Sequence, residues 1–224
     1  MMQWVDPSVV LIDFDSATAL RKCELAARNC YKSEDKIGEG TAEKLIRGCI
    51  KRGHESVIEH ASVTFRMICD RGVTHELVRH RMASYSQEST RYVNYDKREM
   101  EFVRPAWYYD KVVEDVEFLS MTDEQRKYWC LWSAVNAAAN EAEENYECMI
   151  SAGATPQEAR AVLPNMLKTD IVVTMNMREI RHFIKLRAAK AAHPDIRILA
   201  KVLFYELLNA GYGAFLEDLI DEVK

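Results

Sequence analysis

The chain has 224 residues, 48% of them hydrophobic, and a net charge of −5 from 30 Lys and Arg against 35 Asp and Glu. That length and apolar content can bury a substantial core as one domain spanning 1–224, and the acidic balance excludes a global positive field that would draw the protein to nucleic acid or anionic lipid. No uninterrupted apolar run approaches the ~20 residues of a membrane span, and Met1 to Asp6 lacks the basic run and apolar core of a signal peptide, so a cytoplasmic protein with no membrane contact is expected.

In chain order, Ser8 to Phe14 is β-branched and apolar and reads as a strand. Ser16 is placed to cap a helix in which Leu20, Cys23, Ala27 and Cys30 recur at helical spacing. A loop holding Gly38 and Gly40 follows. Thr41 restarts a helix that Gly53 can end as a left-handed residue. From Ala61 to Cys69 apolar and polar residues alternate, which predicts a strand with one buried face. Asp70-Arg71-Gly72 reads as a turn, and Thr74 as the cap of a short helix carrying Glu76, Leu77, Arg79 and His80.

Glu101 to Arg104 is a further short strand, and Asp110 to Ser120 is too mixed to assign. Thr122 with Gln125 fits a capping box opening a long helix that lasts to Gly153. Thr155-Pro156-Gln157-Glu158 is a stronger start, because proline suits the first helical turn and Glu158 can reach back to the cap. Pro164 keeps that helix short. Ile171 to Met175 is a strand. Asn176 then caps a helix, with Glu179 completing a box, and Arg187 shares a face with Ile180, Phe183 and Ile184. Such an arginine either snorkels or is a buried charge. A last long helix runs from about Asp195 to Ala210. The pattern is α+β, a central sheet built from the strands near Val9, Val63, Phe102 and Val172 with helices around it.

The stretch from Arg79 to Tyr92 concentrates Arg79, Arg81 and Arg91 with His80, Ser84, Ser86, Ser89 and Gln87. Guanidinium forks beside hydroxyls suit a phosphate monoester. The amide of Gln87 can face a base or a ribose. The residues alone therefore point to a nucleotide site. Six scattered cysteines form no C-x-x-C pair, and His54-Glu55 followed by Glu59-His60 is not the H-E-x-x-H pattern, so no metal site is expected. No glycine-rich dinucleotide fingerprint follows a strand.

Arg79-His80-Arg81, seven residues and Ser89, continuing through Thr90-Arg91-Tyr92, closely resembles the motif of flavin-dependent thymidylate synthases. Gly53-His54-Glu55-Ser56 and Glu59-His60 upstream, with Asn176-Met177-Arg178 and Leu186-Arg187 downstream, extend the resemblance in the same order. It implies the family's α+β fold with a mostly antiparallel sheet, a homotetramer with active sites at subunit interfaces, and methylation of dUMP to dTMP. The carbon would come from 5,10-methylenetetrahydrofolate and the hydride from FAD reduced by NADPH.

By the same resemblance the dUMP contacts are Glu76, Leu77, Val78, Arg79, Gln87, Glu88, Ser89, Thr90, Arg91, Arg160 and Arg187. Arg187 is the catalytic residue, set against the uracil ring. The FAD contacts are His54, Ser56, Glu59, Arg79, His80, Arg81, Gln87, Asn176, Arg178 and His182. Arg178 and His182 also lie one helical turn apart and can face one ligand. The sequence departs from the family pattern at Ala191, where some members place a histidine, and His193 stands nearby. Two other classes fit the same stretch: a catalytically inactive nucleotide-binding regulatory protein, and an RNA-binding module, which the acidic balance disfavours.

Overall fold

The computed structural model describes residues 2–113 and 116–224. In chain order the elements are β1 (Gln3–Val5), β2 (Ser8–Asp13), α1 (Ser16–Asn29), α2 (Thr41–Lys51), β3 (Ser62–Asp70) and α3 (Arg71–Leu77). Then come β4 (Ala83–Gln87), β5 (Glu101–Val103), α4 (Ala106–Lys111), α5 (Asp123–Ser151), α6 (Pro156–Ala159) and β6 (Lys168–Asn176). The chain closes with α7 (Met177–Arg187), α8 (Pro194–Asn209), α9 (Gly213–Leu216) and α10 (Ile220–Val223). The fold is α+β with a mostly antiparallel sheet, as expected. Its four strands run in the order β2-β3-β6-β4.

The sheet differs from expectation in one member. The Phe102 strand is not in it; β5 pairs instead with β1, in parallel, with Trp4 opposite Phe102. Ala83 to Gln87, to which the sequence pattern assigns no element, takes the fourth place as β4. Ala-Ser-Tyr-Ser-Gln has few β-branched side chains to announce a strand, so its pairing is decided by tertiary contact rather than propensity.

Two compact units share the chain. One holds Met1–Pro7, Ile68–His75 and Gln87–Asp170, the other Ser8–Met67, Glu76–Ser86 and Ile171–Lys224. In the first unit, Thr122 and Gln125 form the expected capping box and open α5. Ala139, Ala142 and Tyr146 on α5 are buried at helical spacing, and they close over Phe102, Leu167, Met100 and Tyr95. Alanine at two of these positions lets the helix approach closely. Phe102 is fully buried, so Phe102→Ala is expected to lose about 3–5 kcal/mol of stability, measured by denaturant unfolding of that unit.

In the second unit the alternation seen in sequence is realised. Val63, Phe65, Ile171, Val173 and Met175 face the core at 1% exposure or less, while Ser62 and Arg66 are exposed. β2 packs against α8, whose Leu199, Leu203, Phe204 and Leu207 are buried. Gly53 takes φ 75°, the left-handed turn after α2 that glycine accepts without strain. Two start signals were misplaced. Asp15, not Ser16, caps α1, accepting from the Thr18 amide at 2.9 Å. Asp70 does the same for α3, accepting from Val73 N at 2.7 Å, and Thr74 lies inside that helix with its hydroxyl on Arg71 O.

Candidate functional site

The second unit contains a cavity of about 560 Å³, lined by Glu55, Glu59, Met82, Asn176, Arg178, Glu179, Arg181, His182 and Lys185. It is built on the N-terminal end of α7. Asn176 caps that helix by accepting from Glu179 N at 2.9 Å, so the cavity faces the positive end of the helix dipole. Arg178 and His182 line the cavity together, as their spacing suggested. Arg178 bonds Glu59 at 2.5 Å and sits 3.9 Å from Glu55. These contacts hold its guanidinium above its ordinary pKa.

Of the other residues assigned to the cofactor, Glu59, Asn176, Arg178 and His182 converge here. His54, Ser56, Arg79 and Arg81 are exposed residues of the same unit and do not line the cavity. Three cations and three carboxylates line it. Arg181 is 2% exposed, and its Nε has no hydrogen-bond partner, though it lies 3.4 Å from Glu55. Its two terminal nitrogens grip the Asp218 carboxylate at 2.6 and 2.7 Å.

Next to α7 lies a chain of polar contacts that sequence reasoning did not foresee. Glu179 does not complete a capping box. Its carboxylate instead meets His80 Nδ1 at 2.9 Å. His80 Nε2 receives the Arg187 Nε–H at 3.2 Å. Arg187 then donates through one terminal nitrogen to the Glu76 carboxylate and through the other to the Glu76 carbonyl, the latter at 3.2 Å. Arg187 therefore does not snorkel. Among the described residues three of its five N–H donors are used, leaving two.

Tyr85, on β4, braces the turn after α3. Its hydroxyl lies 2.9 Å from the Leu77 carbonyl and 2.6 Å from the His80 carbonyl, and burial pushes its pKa up to about 12. Leu77 is fully buried and Val78 is 40% exposed. His80, Glu179 and His182 bring ring and carboxylate atoms within 4.8 Å of one another. That spacing suits a metal ion, but both nitrogens of His80 are already in hydrogen bonds.

Burial holds His80 below its ordinary pKa against the opposing pull of Glu179. The folded state thus takes up the proton at lower pH than the unfolded state, whose imidazole titrates near ~6.5. Stability is full above that value and declines as pH falls below it. Chemical unfolding between about pH 7 and 5 should show this loss, and His80→Gln should flatten it.

In the first unit, the residues after β4 form a compact turn. Ser89 Oγ accepts from Arg91 N at 3.3 Å, and the Ser89 carbonyl from Tyr92 N and Val93 N, both at 3.1 Å. Thr90 is 5% exposed, and the Arg91 guanidinium lies 5.4 Å from the Tyr92 ring centroid. Gln87 spends its amide nitrogen on the Thr74 and Thr169 hydroxyls, each at 3.1 Å. Glu88 is engaged inside the unit, its amide on Asp170 O and its carboxylate accepting from Tyr95 OH at 3.0 Å. Arg160, at the end of α6, is exposed.

Comparison with known proteins decides the family. A family model described as thymidylate synthase complementing protein matches residues 11–210. The chain is 40% identical over 214 residues to the flavin-dependent thymidylate synthase of Mycolicibacterium vanbaalenii, covering 91% of this chain and 80% of the relative. The chain belongs to the flavin-dependent thymidylate synthase family. The Pyrococcus furiosus family member is 37% identical over 79% of this chain, and that match spans 66% of the relative's own length. The fold matches other solved structures. A UMP/dUMP methylase, PolB from Streptomyces cacaoi, superposes with TM-score 0.78 at 24% identity over 98% of this chain and 97% of its own. ThyX from Helicobacter pylori, solved with FAD and dUMP, superposes with TM-score 0.70 at 24% identity, covering 95% of this chain and 99% of its own. As a family member, the chain carries the Arg79-His80-Arg81 motif at the turn after α3 and Ser89 in the turn after β4. Among the described residues no helix is long and apolar enough to cross a membrane.

Proposed function

We propose that this protein methylates dUMP to dTMP, with FAD as cofactor, 5,10-methylenetetrahydrofolate as carbon donor and NADPH as reductant. The observation that carries the reading is Arg187, a guanidinium fixed by Glu76 and His80 with two donors to spare. The pyrimidine must become electron-rich before its carbon can attack an electrophile. A preorganised cation beside N3 and O2 stabilises that ionised ring and acts without reorganising. Ser89 and Arg91 take the phosphate, with Arg160 as a further cation. Gln87 presents a fixed acceptor to a donor on the nucleotide, and Glu76, through its grip on Arg187, sets the cation's angle.

The cavity at α7 fits the cofactor. Its volume of about 560 Å³ lies within the ordinary range for bound organic ligands. Its cations, together with the helix N-terminus and the Arg181 Nε that has no hydrogen bond, suit a pyrophosphate. Glu59, Asn176, Arg178 and His182 would hold the group, with the exposed His54, Ser56, Arg79 and Arg81 contributing from the same unit. The chemistry that FAD supplies when bound is hydride transfer. Burial raises the Cys23 thiol to about 12, which disfavours it as the thiolate of the classical route.

The family model runs across 11–210, which supports one family domain over 1–224. Val10 and Ile12 on edge strand β2, 57% and 53% exposed, offer the apolar surface that a homotetramer would cover, with active sites at the subunit interfaces. We place the protein in the cytoplasm.

Purified protein should bind FAD and oxidise NADPH when dUMP is present. Replacing Arg178 by Ala removes a charge-assisted contact, so flavin affinity should fall about 10-fold or more by fluorescence titration. A colourless protein that binds dUMP without turnover would support the regulatory alternative instead.

A further inference from the structure

His80 is 4% exposed. Its ring is packed between the edge of Phe183, with centroids 5.1 Å apart, and the His182 ring at 5.4 Å. In that setting its two nitrogens face chemically opposite groups. An arginine Nε always carries a hydrogen, so the His80 Nε2 that lies 3.2 Å from Arg187 Nε must be the bare, accepting nitrogen. The proton of neutral His80 therefore sits on Nδ1, where the Glu179 carboxylate receives it at 2.9 Å. A carboxylate accepts and cannot donate, so Glu179 enforces this tautomer.

We propose that His80 is a positioning residue for Arg187, locked by Glu179 as the Nδ1–H tautomer so that Nε2 anchors the guanidinium. This rests on the role of Arg187 given above and deepens it. The contact fixes the Nε edge of the guanidinium while Glu76 fixes the terminal nitrogens, and the two anchors together leave one orientation for the remaining donors. His80 thus acts on the ionised pyrimidine through Arg187. Protonation would set an Nε2–H against the Arg187 Nε–H and place two cations in contact, which releases the anchor. The charged and titratable groups around His80 are Glu179, Arg187 and His182 on α7, Glu76 at the end of α3, and Tyr85 on β4, whose hydroxyl meets the His80 carbonyl.

Two substitutions separate anchoring from packing. A glutamine amide reaches the Nε2 position and can accept from Arg187; an asparagine amide reaches only the Nδ1 position. His80→Asn should lower kcat about 100-fold, the scale of a small misplacement of a catalytic group, with dUMP and flavin dissociation constants little changed. His80→Gln should recover most of the rate. At saturating FAD, Glu179→Leu should lower kcat in wild type and have little further effect in the His80→Gln background. The tautomer itself is read by ¹⁵N resonance of histidine-labelled protein, which needs no turnover. Nδ1–H with a bare Nε2 is expected in the wild type, weakened in Glu179→Leu, which offers Nδ1–H no acceptor.

An Nε2–H tautomer would overturn the proposal. So would equal losses in the Asn and Gln variants with folding intact by circular dichroism, or a loss confined to flavin affinity. Wild-type protein that makes no dTMP while His80 shows the Nδ1–H tautomer would sink the enzymatic reading yet uphold the anchor to Arg187.

Discussion

Replacing Arg187 by Ala should lower kcat for dTMP formation by about 10²–10³-fold, the range measured when one preorganised charge-stabilising donor is removed, while dUMP still binds. The split follows from geometry. The Arg187 side chain is 16% exposed, and its head is bonded to Glu76 and His80, so it enters the reaction already oriented. An interaction made mainly with the ionised ring is worth more in the transition state than in the ground state, and its loss appears in kcat. A snorkelling arginine on the α7 stripe would give a different result, with kcat unchanged and only a small loss of stability. Arg187→Lys should recover little, because a single ammonium cannot reproduce the Nε contact to His80 together with the fork onto Glu76.

The second large effect is on stability. Asp218 is half exposed, but the guanidinium it pairs with, Arg181, is 2% exposed and also donates to the Phe215 carbonyl at 2.5 Å. Asp218→Ala leaves that buried charge with Glu55 alone. Breaking a buried pair costs about 3–5 kcal/mol, and the exposure of Asp218 and the remaining Glu55 reduce this to about 2 kcal/mol. For a chain of this length that is a fall in Tm of about 4–8 °C, read by calorimetry. Burial works against ionisation of Asp218, yet its bonds to Arg181 hold the carboxyl below the usual carboxylate range. The pair's contribution is then fully present above about pH 4, the unfolded value, and is lost as pH falls through the lower folded value. The difference between wild type and Asp218→Ala should shrink in acid.

Elements with local causes were legible in the sequence. The boxes at Thr122 and Thr155 need only four residues each and both formed. The alternation from Ala61 to Met67 states which face is buried, and the helix end at Gly53 follows from one residue's freedom at positive φ. Elements whose cause is distant were not legible. β4 has weak intrinsic preference and exists because β6 offers it an edge. The three residues of β5 carry no sign of whether they join the main sheet or Gln3–Val5, nearly a hundred positions away. Glu179 sits where a capping box wants it, but its carboxylate chose His80, 99 positions earlier. The apolar stripe of α7 drew attention to Arg187, whereas the arginine buried most completely is Arg181, whose partner lies 37 positions downstream. Within the stretch from Arg79 to Tyr92, which the resemblance assigns partly to FAD and partly to dUMP, the internal contacts were not legible. His80 belongs to the contact chain that ends on Arg187, Gln87 is held by buried threonine hydroxyls, and Ser89 shapes the turn that carries Arg91.

The most direct test is anaerobic incubation of the purified protein with dUMP, 5,10-methylenetetrahydrofolate, FAD and NADPH, with chromatographic analysis of the nucleotide product. dTMP formed in step with NADPH oxidation, and almost abolished in Arg187→Ala protein that still binds dUMP, is the expected result. NADPH oxidation or dUMP binding with no dTMP would contradict it.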